Sequence, residues 1–363
     1  MPTNKLFEPF AYRGLKYSNR IAFSPLTRAR ASSTGVVGAL QTEYYRQRAS
    51  AGLLVSEAIA IAPEARGGAW TPGLWTDEQT EAWRGVTEAV HAEDGVIFAQ
   101  LWHAGRLGHS SFAEDGSLPV APAAVAAQGK AFVEAGFLPY EVPRALDARN
   151  IPTIVEQYRT AAINARKAGF DGIQIHGAHG YLLDSFLRDG FNDRTDEYGG
   201  TVEGRARFLL DVVAAVVEVI GADRTAVRIS PNTKAGDMSD SNPGATYGYL
   251  VDKLNTLDVA WLDIIVGDNM VDRDPPGALD IGVLARQFDG ALMLNHGFTR
   301  ELAMEAVDNG EAEMIGFGRA YIANPDLVER LRRNAPLAEA DRRAYYGGGA
   351  KGLIDFPTLD EVA

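Results

Sequence analysis

The chain has 363 residues, of which 46% are hydrophobic and 23% charged, and carries a formal net charge of −13. That composition supplies ample material for a large core, and the negative charge argues against DNA, RNA and anionic membrane surfaces as partners. Cysteine is absent, which excludes disulfides, thiolate metal sites and a cysteine nucleophile.

From the N-terminus, Met1-Pro2-Thr3-Asn4-Lys5 lacks the apolar core of a secretory signal. No apolar run reaches the length of a membrane span, so the expectation is a cytoplasmic protein. Residues 1–20 precede the first strand and are expected to form a small hairpin over a barrel floor. Short β-rich apolar runs then alternate with longer helical patterns. The predicted strands are Ile21–Leu26, Leu53–Ala58, Val96–Trp102, Gly172–His176, Ala226–Ser230, Trp261–Val266, Ala291–Asn295 and Glu313–Phe317. They are apolar or mixed rather than strictly alternating, as suits strands covered on both faces. Over Val202–Ile220 the residues Leu209, Val212, Val213, Val216, Val217 and Ile220 recur at helical spacing. A further helix is expected to begin near Pro325, a residue suited to a first turn. Residues 103–150, rich in Ala, Pro and Gly, form a long excursion after the third strand and are a candidate lid.

Length alone suggests about two domains, but eight strand–helix units with right-handed crossovers close into one (β/α)₈ TIM barrel over residues 1–363. An open doubly wound sheet is the competing layout. It is disfavoured by the eight regular units and by the missing Gly-rich turn after the first strand.

In such barrels the catalytic groups sit at the C-terminal ends of strands. Those ends read Ser24-Pro25-Leu26-Thr27-Arg28, Ser56-Glu57-Ala58, Gln100-Leu101-Trp102-His103, His176-Gly177-Ala178-His179-Gly180-Tyr181, Arg228-Ile229-Ser230-Pro231, Asn295-His296-Gly297-Phe298 and Gly316-Phe317-Gly318-Arg319. Glycine turns after strands seven and eight make a phosphate site in many barrels, with amides at a helix start and Arg319 as a bidentate partner. The plainer reading is a pair of tight turns with a surface arginine.

His176 and His179 admit a metal reading, a barrel hydrolase using His176, His179 and His103. It is weakened by the missing Glu of a zinc protease motif and by the shortage of carboxylates at the strand ends. Tyr181 shifts the balance. Two imidazoles and a phenol within six residues can hold an oxyanion with a proton donor beside it, and neutral imidazoles donate to carbonyl or nitro oxygens.

These blocks together resemble the old yellow enzyme family of ene reductases. The resemblance runs from Leu6-Phe7-Glu8-Pro9 to Tyr346-Gly347-Gly348-Gly349-Ala350 and Asp355-Phe356-Pro357. Its most specific stretch is His176 through Leu187, continuing over Asn192-Asp193-Arg194-Thr195-Asp196-Glu197-Tyr198-Gly199-Gly200, with Gly318-Arg319 through Asn324-Pro325-Asp326-Leu327 as a second block. The His-x-x-His form is similar to the bacterial N-ethylmaleimide, morphinone and pentaerythritol tetranitrate reductases. The resemblance implies non-covalent FMN, a nicotinamide donor (NADPH or NADH), and reduction of alkenes activated by carbonyl, imide or nitro groups. Nitro compounds and nitrate esters are further implied substrates, and the protein is implied to be a monomer or homodimer. It also implies roles: Pro25, Thr27, Ala58 and Gln100 line the isoalloxazine, and Arg228 sits by its N1 and O2. Gly297, Gly318 and Arg319 hold the phosphate, and His176 and His179 hold the activating oxygen. Tyr181 protonates the carbon that receives no hydride, and Trp102 and Trp70 stand in the substrate wall. A flavin-binding protein without catalysis is a third reading, opposed by the presence of both histidines and Tyr181. This chain departs from the family pattern at Gly68, where a Tyr is usual and Trp70 stands nearby, at His296 in the phosphate turn, and at Leu353, where an aromatic often closes the pocket.

Overall fold

The computed structural model describes residues 4–268, 273 and 275–362. Eight parallel strands close into a barrel in chain order: Ile21–Phe23, Leu53–Ala60, Ile97–Trp102, Gly172–Gly177, Thr225–Ile229, Trp261–Ile265, Ala291–Asn295 and Met314–Phe317. All eight predicted runs are strands; Ala291–Asn295 has the predicted bounds, and the ends of the others differ by at most three residues. The first stops at Phe23 rather than Leu26, because Pro25 has no N–H for a ladder; Ser24 donates the last bond, to the Phe317 carbonyl at 3.0 Å. The second runs on to Ala60, with its register against the third strand shifting between Val55 and Ala58. Such a bulge re-aims the side chains that follow it.

The helix Val202–Ile220 has the predicted bounds. Thr201 caps it by accepting from the Gly204 N–H, and Gly221, at φ +90°, ends it. It buries Leu209, Val212, Val213 and Val216. Gly177 on the fourth strand permits this approach, since a Cβ there would lie 2.6 Å from Leu209 Cδ1. The helix expected near Pro325 starts instead at Leu327 and runs to Arg333. Asn324 and Asp326 shape the entry: the Asn324 amide is tied to the Ala320 and Ala338 carbonyls, and Asp326 accepts from Arg330.

The N-terminal hairpin Phe10–Tyr12/Leu15–Tyr17 closes the floor. Phe10 and Tyr17 stack at 4.9 Å, and Tyr12 and Tyr17 both meet Trp261, the first residue of its strand, edge-on. Val55, Phe98, Met293 and Met314 fill the barrel just above, so the floor is sealed by apolar side chains. The excursion 103–150 rises at the other end. It carries the hairpin Lys130–Val133/Gly136–Pro139 and a short parallel pair, Val120–Ala121 with Arg144–Ala145. Among the described residues no helix is long and apolar enough to cross a membrane.

Candidate active site

At the C-terminal ends of the strands lies an elongated cavity of about 710 Å³. Pro25 and Thr27 follow the first strand, Ala58 ends the bulge of the second, and Gln100, His176 and Arg228 point in from the third, fourth and fifth. His179 and Tyr181 enter from the turn after the fourth strand. His296, Gly297, Gly318 and Arg319 close the far end. The fold therefore brings together eleven of the thirteen residues singled out above, all except Trp102 and Trp70.

The catalytic end is built on one turn. His176, His179 and Tyr181 form a triangle, with ring centroids 5.5, 4.9 and 6.4 Å apart. His179 and Gly180 both take positive φ, +60° and +76°, and Gly180 passes so close to Ala235 that a Cβ would lie 2.6 Å from its carbonyl oxygen. A buried frame fixes this strained turn. Asp184 accepts from the Gly180 N–H at 2.8 Å, from Arg188 at 2.8 Å and from the Tyr247 hydroxyl at 3.0 Å. The Ser230 hydroxyl accepts from the His179 N–H at 2.9 Å.

Burial sets the protonation states. It holds His176 well below the usual imidazole range, helped by His179 and Arg228. His179 is lowered to about 3, by burial first and then by Arg228 and Arg188. The Tyr181 phenol is raised, again chiefly by burial. At neutral pH the site thus presents two neutral imidazoles and a protonated phenol. His176 Nδ1 and His179 Nε2 are buried without a hydrogen-bond partner. Such orphans mark where a ligand's polar atoms fit.

Trp102 stands outside the cavity wall. It is buried behind Tyr181, edge-on at 5.1 Å, so it touches the phenol rather than the cavity. Trp70 is a correction to the sequence reading. It turns to the excursion and packs edge-on against Phe132 at 5.4 Å, away from the cavity lining. Its neighbours Gly68 and Ala69 are bound to the Phe132 backbone, which pulls this loop under the hairpin. Gly68 lines no part of the cavity. Leu353 is corrected likewise: it lies in the main core, and the C-terminal aromatics at the cavity are Tyr345 and Tyr346. The Arg28 guanidinium delivers them, donating to the Tyr345, Ala344 and Gly352 carbonyls. The excursion contributes Leu107, Gln128 and Tyr140 to the opposite wall.

His103 does not join the other histidines. It lines a separate cavity with Glu64 and Gln157, its Nδ1 accepts from the Gly105 N–H at 3.0 Å, and burial lowers it to about 3. Among the described residues no cluster of three or more His, Asp or Glu side chains is placed to hold a metal ion.

The far end forms a backbone cradle. His296 and Gly297 take φ of +82° and +70°, and Gly316 has no room for a side chain, since a Cβ would lie 2.5 Å from Ser24 Oγ. The helix that follows, Arg319–Ala323, has only five residues, so its dipole adds little; exposed Arg319 supplies a positive charge there, and the Arg273 side chain lies against Gly297 and over the Phe298 ring.

Sequence reading missed the buried frame across the barrel. Asp263, on the sixth strand, accepts from Arg228 Nη1 at 3.0 Å, from Gln174 at 3.0 Å and from Asn295. Gln174 in turn accepts from the Gln100 amide at 2.7 Å. The signals were present as polar residues inside otherwise apolar strands, Gln174 alongside His176 in Gly172–Gly177 and Asp263 alone in Trp261–Ile265.

Residues 5–338 match the model of the NADH:flavin oxidoreductase / NADH oxidase family, and the chain belongs to that family. Within it, the chain is similar to an old yellow enzyme homologue from Zymomonas mobilis, at 43% identity and a TM-score of 0.94, covering 98% of this chain and 100% of that one. It is 42% identical over 375 residues to rice (Oryza sativa subsp. japonica) 12-oxophytodienoate reductase 7, covering 98% of this chain and 95% of that protein. A probable flavin mononucleotide-dependent alkene reductase of Leishmania infantum is 40% identical over 359 residues, 98% of this chain and 97% of that protein.

Proposed function

We propose that the chain is an NAD(P)H-dependent FMN ene reductase acting on alkenes activated by a carbonyl, imide or nitro group. The observation that carries this reading is the layout of one cavity: a neutral His176–His179 pair with Tyr181 at one end, and a glycine cradle with Arg319 at the other. The residues fit FMN. Arg228 lines the cavity and its Nε is buried without a partner, and Gln100 and Thr27 add polar groups to the same lining. Gly297, Gly318 and Arg319 would hold its phosphate, and Pro25 and Ala58 would meet the flat ring; all five line the same cavity. FMN bound there supplies hydride exchange between a nicotinamide and the C=C bond.

The remaining chemistry belongs to the chain. His176 and His179 donate to the oxygen of the activating group, where charge builds as the alkene is reduced. Being neutral, they donate without protonating it. Tyr181 holds its proton on Oη and delivers it to the α-carbon. Trp102 backs the phenol and limits its swing. Residues 1–363 act as one barrel domain, with 103–150 as a lid-like insertion that narrows the mouth through Tyr140 and Gln128.

The test is direct. Purified protein should be yellow, acid should release FMN, and anaerobic NADPH or NADH should bleach the colour, which 2-cyclohexenone restores. A folded preparation that takes up no FMN, or a bleached one that enones leave unchanged, refutes the reading.

A further inference from the structure

The Arg228 cation in the cavity lining is not alone. Arg228 and Asp263 occupy paired positions on adjacent strands, and their side chains meet at 3.0 Å with Asp263 fully buried. Asp263 is saturated: both carboxylate oxygens accept, from Arg228, Gln174 and Asn295. Arg228 Nη2 also donates to Asn295 Oδ1, at 3.3 Å. Both terminal nitrogens of the guanidinium are thus tied into the barrel, and the one left without a partner is Nε, on a residue that lines the cavity.

Resting on the FMN reading above, we propose that Asp263 is a positioning residue that sets the reduction potential of the bound flavin. It holds the Arg228 guanidinium with Nε free, and it cancels part of that cation's charge. The effect is electrostatic. Hydride uptake brings a flavin two electrons and one proton, and so one added negative charge. A nearby cation favours that state and a nearby anion opposes it. In a dry interior both effects are strong. Arg228 alone would raise the potential, and Asp263 beside it on the adjacent strand lowers the result. A buried carboxylate is costly to keep, and a neutral residue would fit a barrel wall with less desolvation. A charge opposing Arg228 at this depth gives the pair an electrostatic consequence at the flavin that a neutral residue would lack.

The experiment is a midpoint-potential measurement of the bound flavin in wild type and Asp263→Asn, with FMN content checked by acid release. Removing the anion should shift the two-electron reduction equilibrium towards reduced flavin about tenfold, a rise of about 30 mV. FMN bound at an unchanged or lower potential overturns this inference and leaves the FMN reading standing. A folded wild type that takes up no FMN overturns both. Should D263N not fold, the double variant D263N/R228M carries the test, because it leaves neither charge buried alone. Its reduction equilibrium should stay within about tenfold of wild type, or about 30 mV. A larger fall would show that Arg228 acted as an unopposed cation, and the inference would be wrong.

Discussion

At the scale of single residues, the site depends on which groups carry protons. His176 and His179 are held neutral by burial, so their role is donation and not charge. Replacing either by Ala should slow oxidation of the reduced flavin by 2-cyclohexenone about 10²–10³-fold, the usual cost of a positioned donor. Reduction by NADPH should change far less. Because both imidazoles titrate well below neutrality, the oxidative half-reaction should also show no histidine-dependent step between about pH 6 and 8. Stopped-flow measurement of each half-reaction across pH decides this; equal loss in both halves would argue against substrate holding. Tyr181→Phe keeps the ring that packs on Trp102 and removes only the proton donor. Enone reduction should fall roughly 10²–10⁴-fold, as for loss of general acid catalysis. Hydride addition to 1-nitrocyclohexene should persist, because the nitronate formed is stable without an immediate proton. An unaffected enone rate would make Tyr181 a packing aromatic.

At the scale of elements, the loop bearing Trp70 and the hairpin Lys130–Val133/Gly136–Pro139 form one unit. Ala69 donates to the Phe132 carbonyl at 2.7 Å, and the Trp70 and Phe132 rings meet edge-on. Such an aromatic pair contributes about 0.5–1.5 kcal/mol beyond its buried area. Trp70→Ala should therefore loosen the hairpin and leave the pocket's shape alone. The expected result is faster amide hydrogen exchange over residues 130–139, with the ranking of β-substituted cyclohexenones by kcat/KM unchanged. A specific gain for bulky substrates would place Trp70 in the substrate wall after all.

At the scale of the whole molecule, Glu57 links stability to pH. It lies in the bulge of the second strand, fully buried, accepting from the Arg28 N–H at 3.1 Å while its Oε1 has no partner. Burial pushes its carboxyl up to about 7. The folded protein thus holds this proton more tightly than the unfolded chain does. Its contribution to stability is complete below about pH 4.5 and is lost as pH rises through about 7. Glu57→Gln keeps the shape without the charge. The stability difference between variant and wild type should move in favour of Gln across that window, by on the order of 3 kcal/mol. Denaturation midpoints at several pH values measure it, and a difference that stays constant with pH would show that Glu57 does not titrate there.

Much of this protein was legible in local patterns. Each barrel strand announced itself as a short apolar run, because a strand covered on both faces needs apolar side chains whatever its partner. The histidine site was legible because it is local: His176, His179 and Tyr181 lie within six residues, so one strand end and the turn after it deliver all three. The rest depended on residues far apart in the chain. Strand register places Asp263 beside Arg228, 35 positions away, and no spacing in the sequence shows that they meet. Folding also decided that Phe132 claims Trp70, that Leu353 enters the core while Tyr345 and Tyr346 reach the cavity, and that His103 faces a different space from the other two histidines. Local chemistry determines which elements form and which groups a turn can offer. Which of those groups face one another is set by the closure of the barrel and by the loops that pack across its mouth.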